Sequence, residues 1–294
     1  MAPVGVAPYF FVRKKMKRLK YVIVAMAMAV LILFTGCSGD KQKQTKEKSS
    51  EDKNAESIRV EGSYDDELEE IVGDSFFYRI EDGIAVLSGI YQYRESEEIP
   101  DILQYEGKDY PIEKIGENAF QDDSVLRLIT LPEGMKEIGS NAFYDCDNIE
   151  EIVIPDSVKK YGDGIFFNCE RLQKAVLGNG LEGIPDEMFS NCYALTEVEY
   201  PQGIKYIGKE ALWACESLKS FTISGDIVTV GDRAFYASAI ETMDIKAESL
   251  KISDDIFEGM DKLQELTVPT EYEKDYKALE NLSQVSINGQ KQEE

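Results

Sequence analysis

Short apolar alternations recur along the chain and predict strands with one buried face. In the clearest copy, at 149–154, Ile152 and Ile154 alternate with Glu151 and Val153. A period of two puts successive side chains on opposite faces of a strand, so one set is buried and the other faces outward. A proline often follows at the same offset, where its fixed φ and missing N–H end the strand without removing a needed ladder bond. These prolines are Pro132, Pro155, Pro201 and Pro269.

The alternation is part of a longer unit with a period of 23 residues, shortened to 22 in the last step. The best copy starts at Ile138-Gly139, continues with Ala142-Phe143 and reaches Cys146 before the apolar alternation begins. Such a strict period is the signature of a repeat protein, in which each unit buries its apolar face against its neighbours and cannot fold alone. The residues equivalent to Phe143 are Phe120, Phe166, Phe189, Leu212, Phe235 and Phe257.

Each part of the unit has a predicted structural role. The glycine of the Ile-Gly pair is typical of a turn that needs a permissive backbone. The Ala-Phe pair is expected to fill the interior, so that stacked copies bury Phe on Phe and Ile on Ile. The segment 141–146 is too short for an independent helix and predicts a single helical or 3₁₀ turn. The glycines are Gly116, Gly139, Gly162, Gly208 and Gly231.

The first 37 residues have the pattern of an export signal. A basic region at 13–20 precedes an uncharged apolar run of 14 residues and then Phe34-Thr35-Gly36-Cys37. These four residues resemble the lipobox of bacterial lipoproteins, with Phe34 in place of the usual Leu. The resemblance implies cleavage after Gly36 and a lipid on Cys37. An uncleaved membrane anchor is disfavoured, because the run is shorter than the roughly 20 residues of a spanning helix.

We interpret Met16 as the first residue of the protein in place of Met1, since the residues before Met16 are superfluous to the signal. Residues 38–57 contain almost no apolar side chain, a composition that cannot bury a core and that predicts a disordered tether. The predicted domain boundaries are 1–37 for the signal, 38–75 for the tether, 76–114 for an N-terminal cap, 115–269 for the repeats and 270–294 for a C-terminal cap and tail.

The charge of the chain excludes one class of partner. Without residues 1–36 the chain has 26 basic and 56 acidic residues, a net charge of −30. Nucleic acid is therefore not expected to bind. The acid excess favours solubility and a weak affinity for cations or basic partners. There is no calcium-binding loop motif, and no cofactor is predicted.

Four cysteines recur at one position of the repeat and predict a single column. We interpret them as small buried core residues, because Cys is among the most buried residue types. A disulfide between adjacent coils is an alternative, since an exported chain allows one and the spacing of the strands approaches the distance that a disulfide can bridge. Zinc is the least favoured alternative, because the chain has no Cys-x-x-Cys pair and no His. The residues are Cys146, Cys169, Cys192 and Cys215.

Both ends of the repeat array carry segments that predict caps, which such an array needs over its terminal coils. The segment 76–87 alternates around Glu81-Asp82-Gly83 and predicts a hairpin. After Pro269, apolar residues at helical spacing predict a helix, and 285–287 predicts a last strand. The residues at helical spacing are Tyr272, Tyr276, Leu279 and Leu282.

The repeated motif Ile-Gly-x-x-Ala-Phe-x-x-Cys-x-x-Leu-x-x-Ile-x-Ile-Pro resembles the BspA-like leucine-rich repeat family of bacterial surface proteins, over residues 76–288. The resemblance implies an α/β repeat fold: a right-handed solenoid or horseshoe, strand-rich with short helical or 3₁₀ turns, and about seven 23-residue repeats between two caps. It also implies display on the bacterial cell surface and binding or adhesion, while the lipobox resemblance implies a lipid anchor in the outer face of the membrane. The repeats depart from the motif at Gly178-Asn179-Gly180 and at Leu212.

The outward positions of the predicted strands are the candidate ligand-binding residues. Leu128, Val153 and Val176 place three apolar side chains in adjacent coils on a face expected to be wet, which favours binding. A plain solvated sheet face made of strand-forming residues is the alternative. The candidates are Leu128, Thr130, Glu151, Val153, Lys174, Val176, Glu197, Glu199, Thr222 and Asp244, with Ser220, Thr242, Glu265 and Thr267 at equivalent positions.

A second candidate binding surface lies on the convex edge. It consists of Trp213 and Tyr236, which share a column with Tyr144 and Phe167.

Catalysis is not predicted. The chain has no His, no nucleophile elbow, no phosphate loop and no metal-binding motif. Neighbouring carboxylates such as Glu69 and Glu70 are expected by chance among 56 acidic residues. We therefore predict a lipid-anchored, surface-displayed and monomeric protein that binds a protein or glycan. The alternative is a structural or accessory component of the cell envelope without a host ligand.

Overall fold

The computed structural model describes residues 57–66, 69–223, 225–247, 250 and 254–290. These residues form a strand-rich solenoid of about nine stacked turns with almost no helix. One apolar core runs through it, from Val60 to Ile287. The predicted signal with Cys37 and the first part of the predicted tether lie outside the described residues. In the described part, no helix combines the length and the apolar character needed to cross a membrane.

The N-terminal cap is a curled sheet. Its strands follow the order β1-β7-β8-β5-β4-β3-β2, so the strands at its two ends are consecutive in the chain and are joined by Gly62 alone. A Cβ at Gly62 would lie 2.6 Å from Ile71 Cγ2 and 2.8 Å from Leu103 Cδ1, which leaves no room for a side chain at this corner. The strands are β1 (Arg59–Glu61), β2 (Ser63–Asp65), β3 (Glu70–Val72), β4 (Phe76–Glu81), β5 (Ile84–Ile90), β7 (Ile102–Tyr105) and β8 (Lys108–Ile115); β6 (Ser96–Glu98) belongs to a separate ladder.

The predicted hairpin is confirmed, but the predicted end of the tether at residue 75 is wrong. β4 and β5 pair antiparallel around Asp82 and Gly83, whose φ values are 49° and 83°. However, β1, β2 and β3 precede residue 75. Val60 and Ile71 are buried in the apolar core although charged residues flank them in the sequence, and Val60 pairs with Leu103 on a strand distant in sequence. The few apolar residues in this segment are sufficient because later parts of the chain complete the sheet.

Each repeat contributes short strands to parallel ladders on two sides of the solenoid. The strands of the first ladder are β9 (Leu128–Thr130), β11 (Glu151–Val153), β13 (Lys174–Val176), β15 (Glu197–Glu199), β17 (Ser220–Ile223), β19 (Thr242–Ile245) and β20 (Glu265–Pro269), with β6 before them. Strand pairing is interrupted between β9 and β11 and between β15 and β17. The strands of the second ladder are β10 (Glu137–Ile138), β12 (Lys160–Tyr161), β14 (Gly183–Ile184), β16 (Tyr206–Ile207) and β18 (Thr229–Val230). The first ladder is the predicted one. The second has two-residue strands, which are too short to show an alternation in the sequence.

The glycine of the Ile-Gly pair is present for a reason other than the predicted one. Neither Gly139 nor Gly162 has a positive φ, so no permissive turn conformation is used. A Cβ at Gly162 would instead lie 2.2 Å from the backbone nitrogen of Ser140 in the preceding coil. The coils approach backbone to backbone here, and only glycine leaves the space.

The segment around the Ala-Phe pair is not helical, so the helical part of the predicted α/β class is wrong for this segment. Asn141 and Asp145 have φ values of 54° and 56°, and left-handed residues at two points of one turn interrupt a helix. The amide of Phe143 donates across to Ile165 O in the next coil at 2.9 Å instead. The same two positions have positive φ in successive coils, at Asn118 and Asp122, Asn141 and Asp145, Gly164 and Asn168, Glu187 and Asn191, Glu210 and Ala214, and Arg233 and Ala237.

Phenylalanine rings form the centre of the core, as predicted. Ring centroids are 4.8 Å apart for Phe120 and Phe143, 5.3 Å for Phe143 and Phe166, and 5.7 Å for Phe166 and Phe189. Phe76 of the N-terminal cap meets Phe120 edge-on at 5.8 Å. The cap is thus continuous with the column of the repeats.

The C-terminal cap is less helical than the spacing predicts. Leu279 has an extended ψ of 130°, which separates two short helical pieces. Tyr276 and Leu282 are buried, and Tyr276 meets Phe257 edge-on at 6.1 Å. The predicted last strand is confirmed by parallel pairing with β20. The elements are a 3₁₀ turn (Asp254–Phe257), α1 (Glu273–Tyr276), a 3₁₀ turn (Glu280–Leu282) and β21 (Ser286–Gln290).

Candidate binding face

The outward side chains of the first ladder form one surface, here named the ladder face. In β11 the middle residue Ile152 is buried, while Glu151 and Val153 point outward. All ten predicted candidates on this ladder are exposed or half-buried, as are the four residues at equivalent positions. The ladder face also includes four residues that were not among the predicted candidates, Ser96 and Glu98 on β6 and Ser286 and Asn288 on β21.

The strand pairing brings the candidates together in three groups. In the central group Glu151, Lys174 and Glu197 form one row, and Val153, Val176 and Glu199 form the next. Leu128 and Thr130 pair with β6, and the β9 coil is joined to the central group by the Glu150 amide, which donates to Arg127 O at 3.4 Å. Thr222 on β17 is the pairing partner of Asp244 on β19.

The central group carries a compact cluster of charges. The Lys174 ammonium lies 3.1 Å from a Glu197 carboxylate oxygen and also contacts Glu199. The hydrogen bond to Glu199 and then the one to Glu197 raise the pKa of Lys174, and the Lys174 ammonium lowers the pKa of Glu199. Lys174 and Glu199 are therefore charged at neutral pH, and one ammonium contacts two carboxyl groups.

Two apolar side chains on the ladder face are more than half exposed. The exposed fraction is 53% for Leu128 and 54% for Val153. Val176 is half-buried and pairs directly with Val153. The structure thus places the three predicted apolar residues on adjacent coils of one face, where water covers them in the isolated chain.

In the C-terminal part of the ladder face, the candidate Asp244 is already engaged by other side chains of the protein. Asp244 accepts a hydrogen bond of 2.6 Å from Gln290 Nε2 on β21, and its other oxygen lies 3.5 Å from the Lys246 ammonium. These contacts tie the candidate Asp244 to the C-terminal cap.

The cysteine column is buried and every thiol in it is free. The Cys169 thiol donates to Phe143 O at 3.2 Å, and equivalent bonds of 3.1 to 3.4 Å recur in the other three coils. Burial raises the pKa of all four thiols. In the described part of the chain, no three side chains of the metal-ligating types converge as an ion would require.

The second predicted candidate, the aromatic edge, consists of two separate ring pairs. Trp213 and Tyr236 stack at 4.4 Å, and the Arg233 guanidinium lies 6.0 and 5.7 Å from their ring centroids. Tyr144 and Phe167 stack at 5.2 Å two coils away. Buried Ser190 occupies the position between the pairs, so the aromatic column is interrupted.

Three polar residues next to the ladder face, Tyr200, Glu97 and Asp123, were not predicted from the sequence to have a role there. Tyr200 takes a position where other repeats have a buried aliphatic residue; its hydroxyl donates to Thr222 O and its ring stacks on Phe221 at 5.7 Å. Glu97 and Asp123 are buried where the cap meets the first repeat, and burial raises the pKa of both carboxyls. The departure of Tyr200 from the repeat pattern was a usable signal, whereas the burial of Glu97 depends on contacts between distant segments.

The coils, their paired ladders and the columns of Phe and Cys define a leucine-rich-repeat solenoid. The family model described as BspA type leucine rich repeat region matches residues 109–216 and 182–292, in 6 copies. The chain therefore belongs to the BspA-type leucine-rich repeat family. No curated protein sequence matches it significantly.

Solved structures of bacterial repeat proteins resemble the fold. A leucine rich cell surface protein from Faecalibacterium prausnitzii A2-165 has 21% identity and a TM-score of 0.51, covering 77% of this chain and 72% of its own. A leucine-rich repeat protein from Bacteroides ovatus has 22% identity and a TM-score of 0.47, covering 74% and 67%. One from T. pallidum has 23% identity and a TM-score of 0.47, covering 55% and 86%. The first likeness supports the leucine-rich-repeat fold and gives no ligand.

Proposed function

We propose that the protein is a lipid-anchored, surface-displayed binding protein that recognises a protein or glycan partner through the ladder face. The observation that carries the proposal is the exposure of Leu128 and Val153, next to half-buried Val176, on a face whose remaining outward positions are polar or charged. Exposed apolar groups gathered on one surface of a soluble domain mark contact sites. Family membership and the cell-surface description of the F. prausnitzii protein support display outside the cell.

A non-enzymatic role is part of the proposal. Repeat solenoids present extended surfaces, which serve binding more readily than catalysis. We also propose that the solenoid is right-handed, bends as a horseshoe and contains about seven 23-residue repeats. Small-angle scattering would test this curvature, and a straight rod would contradict it.

The partner is tested by probing the purified full chain in non-ionic detergent against an array of host-matrix proteins, glycans and cell-wall fragments. The proposal predicts saturable binding to at least one host protein or glycan. If the chain instead co-purifies only with components of its own envelope and binds nothing on the array, it is a structural or accessory envelope component.

The anchor is tested separately with labelled palmitate in bacterial cells. Label should enter the wild-type chain and be lost in Cys37→Ala, and globomycin should block processing. Unchanged labelling of Cys37→Ala would show that the lipid is not on this cysteine.

A further inference from the structure

The ladder face has two halves of different chemistry. The N-terminal half, from β6 to β15, contains Ser96, Glu98, Leu128, Thr130, Glu151, Val153, Lys174, Val176, Glu197 and Glu199. The C-terminal half, from β17 to β21, contains Ser220, Thr222, Thr242, Asp244, Glu265, Thr267, Ser286 and Asn288. All three apolar members therefore lie in the N-terminal half, and the other half is mainly hydroxyl and amide groups.

The N-terminal half is also negatively charged. Its outward positions hold four carboxylates, Glu98, Glu151, Glu197 and Glu199, and one ammonium, Lys174, which leaves a net charge of −3. Lys174 is already held by Glu197 and Glu199. The apolar row Val153–Val176 continues directly into Glu199, so apolar and acidic contacts are available side by side along one line.

We propose, on the basis of the binding function above, that the occupant of this half is a polypeptide segment carrying both basic and apolar side chains. Its apolar groups would cover Leu128, Val153 and Val176, and its cations would lie near the carboxylates. A neutral glycan matches neither feature. A second copy of this chain is disfavoured, because two faces of the same negative charge repel one another.

The effect of replacing Lys174 on binding affinity distinguishes a basic partner from other partners. The Lys174 ammonium occupies the two carboxylates that a basic partner would contact, and so it competes with the partner. Replacing it by Met keeps most of the aliphatic stem and removes the charge. A basic partner should then bind more tightly, whereas a partner that contacts Lys174 through a carboxylate or hydroxyl should bind more weakly.

The experiment uses the full chain in non-ionic detergent and short synthetic peptides. The probes are a peptide of alternating Lys and Leu, one of Lys and Ser, one of Glu and Leu, and dextran as a neutral glycan. The Lys–Leu peptide should bind best, and the Lys–Ser peptide about tenfold more weakly because its apolar contacts are lost. Raising the salt from low to physiological concentration should weaken both complexes.

Lys174→Met should tighten binding of the Lys–Leu peptide by about two- to fivefold. The matched control is Lys219→Met, which removes an ammonium that is paired with Glu241 at 3.0 Å beside the other half of the face. This control should have a smaller effect.

The outcomes separate this inference from the proposed function. If Lys174→Met weakens binding or leaves it unchanged, or if dextran or the Glu–Leu peptide binds better, the inference is wrong while a ladder-face binding protein stands. A dimer in sedimentation that is disrupted by Val153→Asp would make a second copy the occupant and would also overturn it. If neither these probes nor the array bind, both proposals fail.

Discussion

The Cys169 thiol donates a hydrogen bond to the carbonyl oxygen of Phe143, 26 residues earlier in the chain, at 3.2 Å. The same oxygen also accepts the Cys146 amide at 3.2 Å. One carbonyl thereby joins the turn of its own coil to the thiol of the next coil. Because this contact recurs along the column, the cysteines link successive coils without any covalent bond.

All four column thiols are predicted to be free and slow to react in the folded chain. Burial raises the pKa of the Cys169 thiol, and the thiolate is the form that reacts. Alkylation of the native, non-reduced chain followed by peptide mapping should leave the four peptides unmodified. After denaturation without reductant, all four should be alkylated. A pair that becomes reactive only after reduction would reveal a disulfide.

Gly162→Ala should lower the free energy of unfolding by about 3 kcal/mol or more, because the new methyl group would meet the backbone of the preceding coil. The matched control is Gly134→Ala, since a Cβ at Gly134 meets no atom within 4 Å. It should be neutral or stabilising by about 0.5 kcal/mol. Urea unfolding of both variants measures the difference, and similar values would contradict close packing of the coils at Gly162.

Asn168→Ala should cost about 2 kcal/mol of folding stability. Asn168 has a φ of 59°, which disfavours Ala, and its side chain bridges coils by donating to Asp145 and accepting from Asn191, both at 2.8 Å. Asn168→Gly should cost less, because glycine accepts the left-handed conformation. Equal losses in urea unfolding would show that the backbone conformation contributes nothing.

The stability of the junction between cap and repeats should fall as the pH rises. Burial raises the pKa of Glu97, while a hydrogen bond with Ser75 and the charge of Arg94 partly oppose this; the charge of Asp123 adds to it. A carboxyl with a raised pKa stabilises the fold below its unfolded pKa, and this contribution is lost as the pH rises through the folded value. Urea unfolding from acid to neutral pH should show this loss, and Glu97→Gln should reduce it. An unchanged pH dependence in Glu97→Gln would exclude Glu97 as the cause.

The repeat register and the ladder face could be predicted from the sequence because they depend on local spacing. Glu151 and Val153 alternate with Ile152, and the structure exposes and buries them accordingly. The Phe and Cys columns follow from the same 23-residue period.

Other features depend on contacts that the local pattern does not contain. The strands before residue 75 exist because Val60 pairs with Leu103. Gly162 is required by Ser140 in the previous coil. The turn at Asn141 is non-helical because every second amide from Asn141 to Asp145 donates to the next coil. In each case the deciding partner is distant in sequence, so composition and propensity alone led to the wrong conclusion.

Recognition through the ladder face is tested most directly by measuring how tightly the partner found on the array binds the double variant Val153→Ser/Val176→Ser. Its matched control is Thr222→Ser/Thr267→Ser, which also trims outward side chains but in the other half of the ladder face. Calorimetric titration of the full-length chains should show about tenfold weaker binding for the valine variant and little change for the control. Wild-type affinity in the valine variant would contradict recognition through the ladder face.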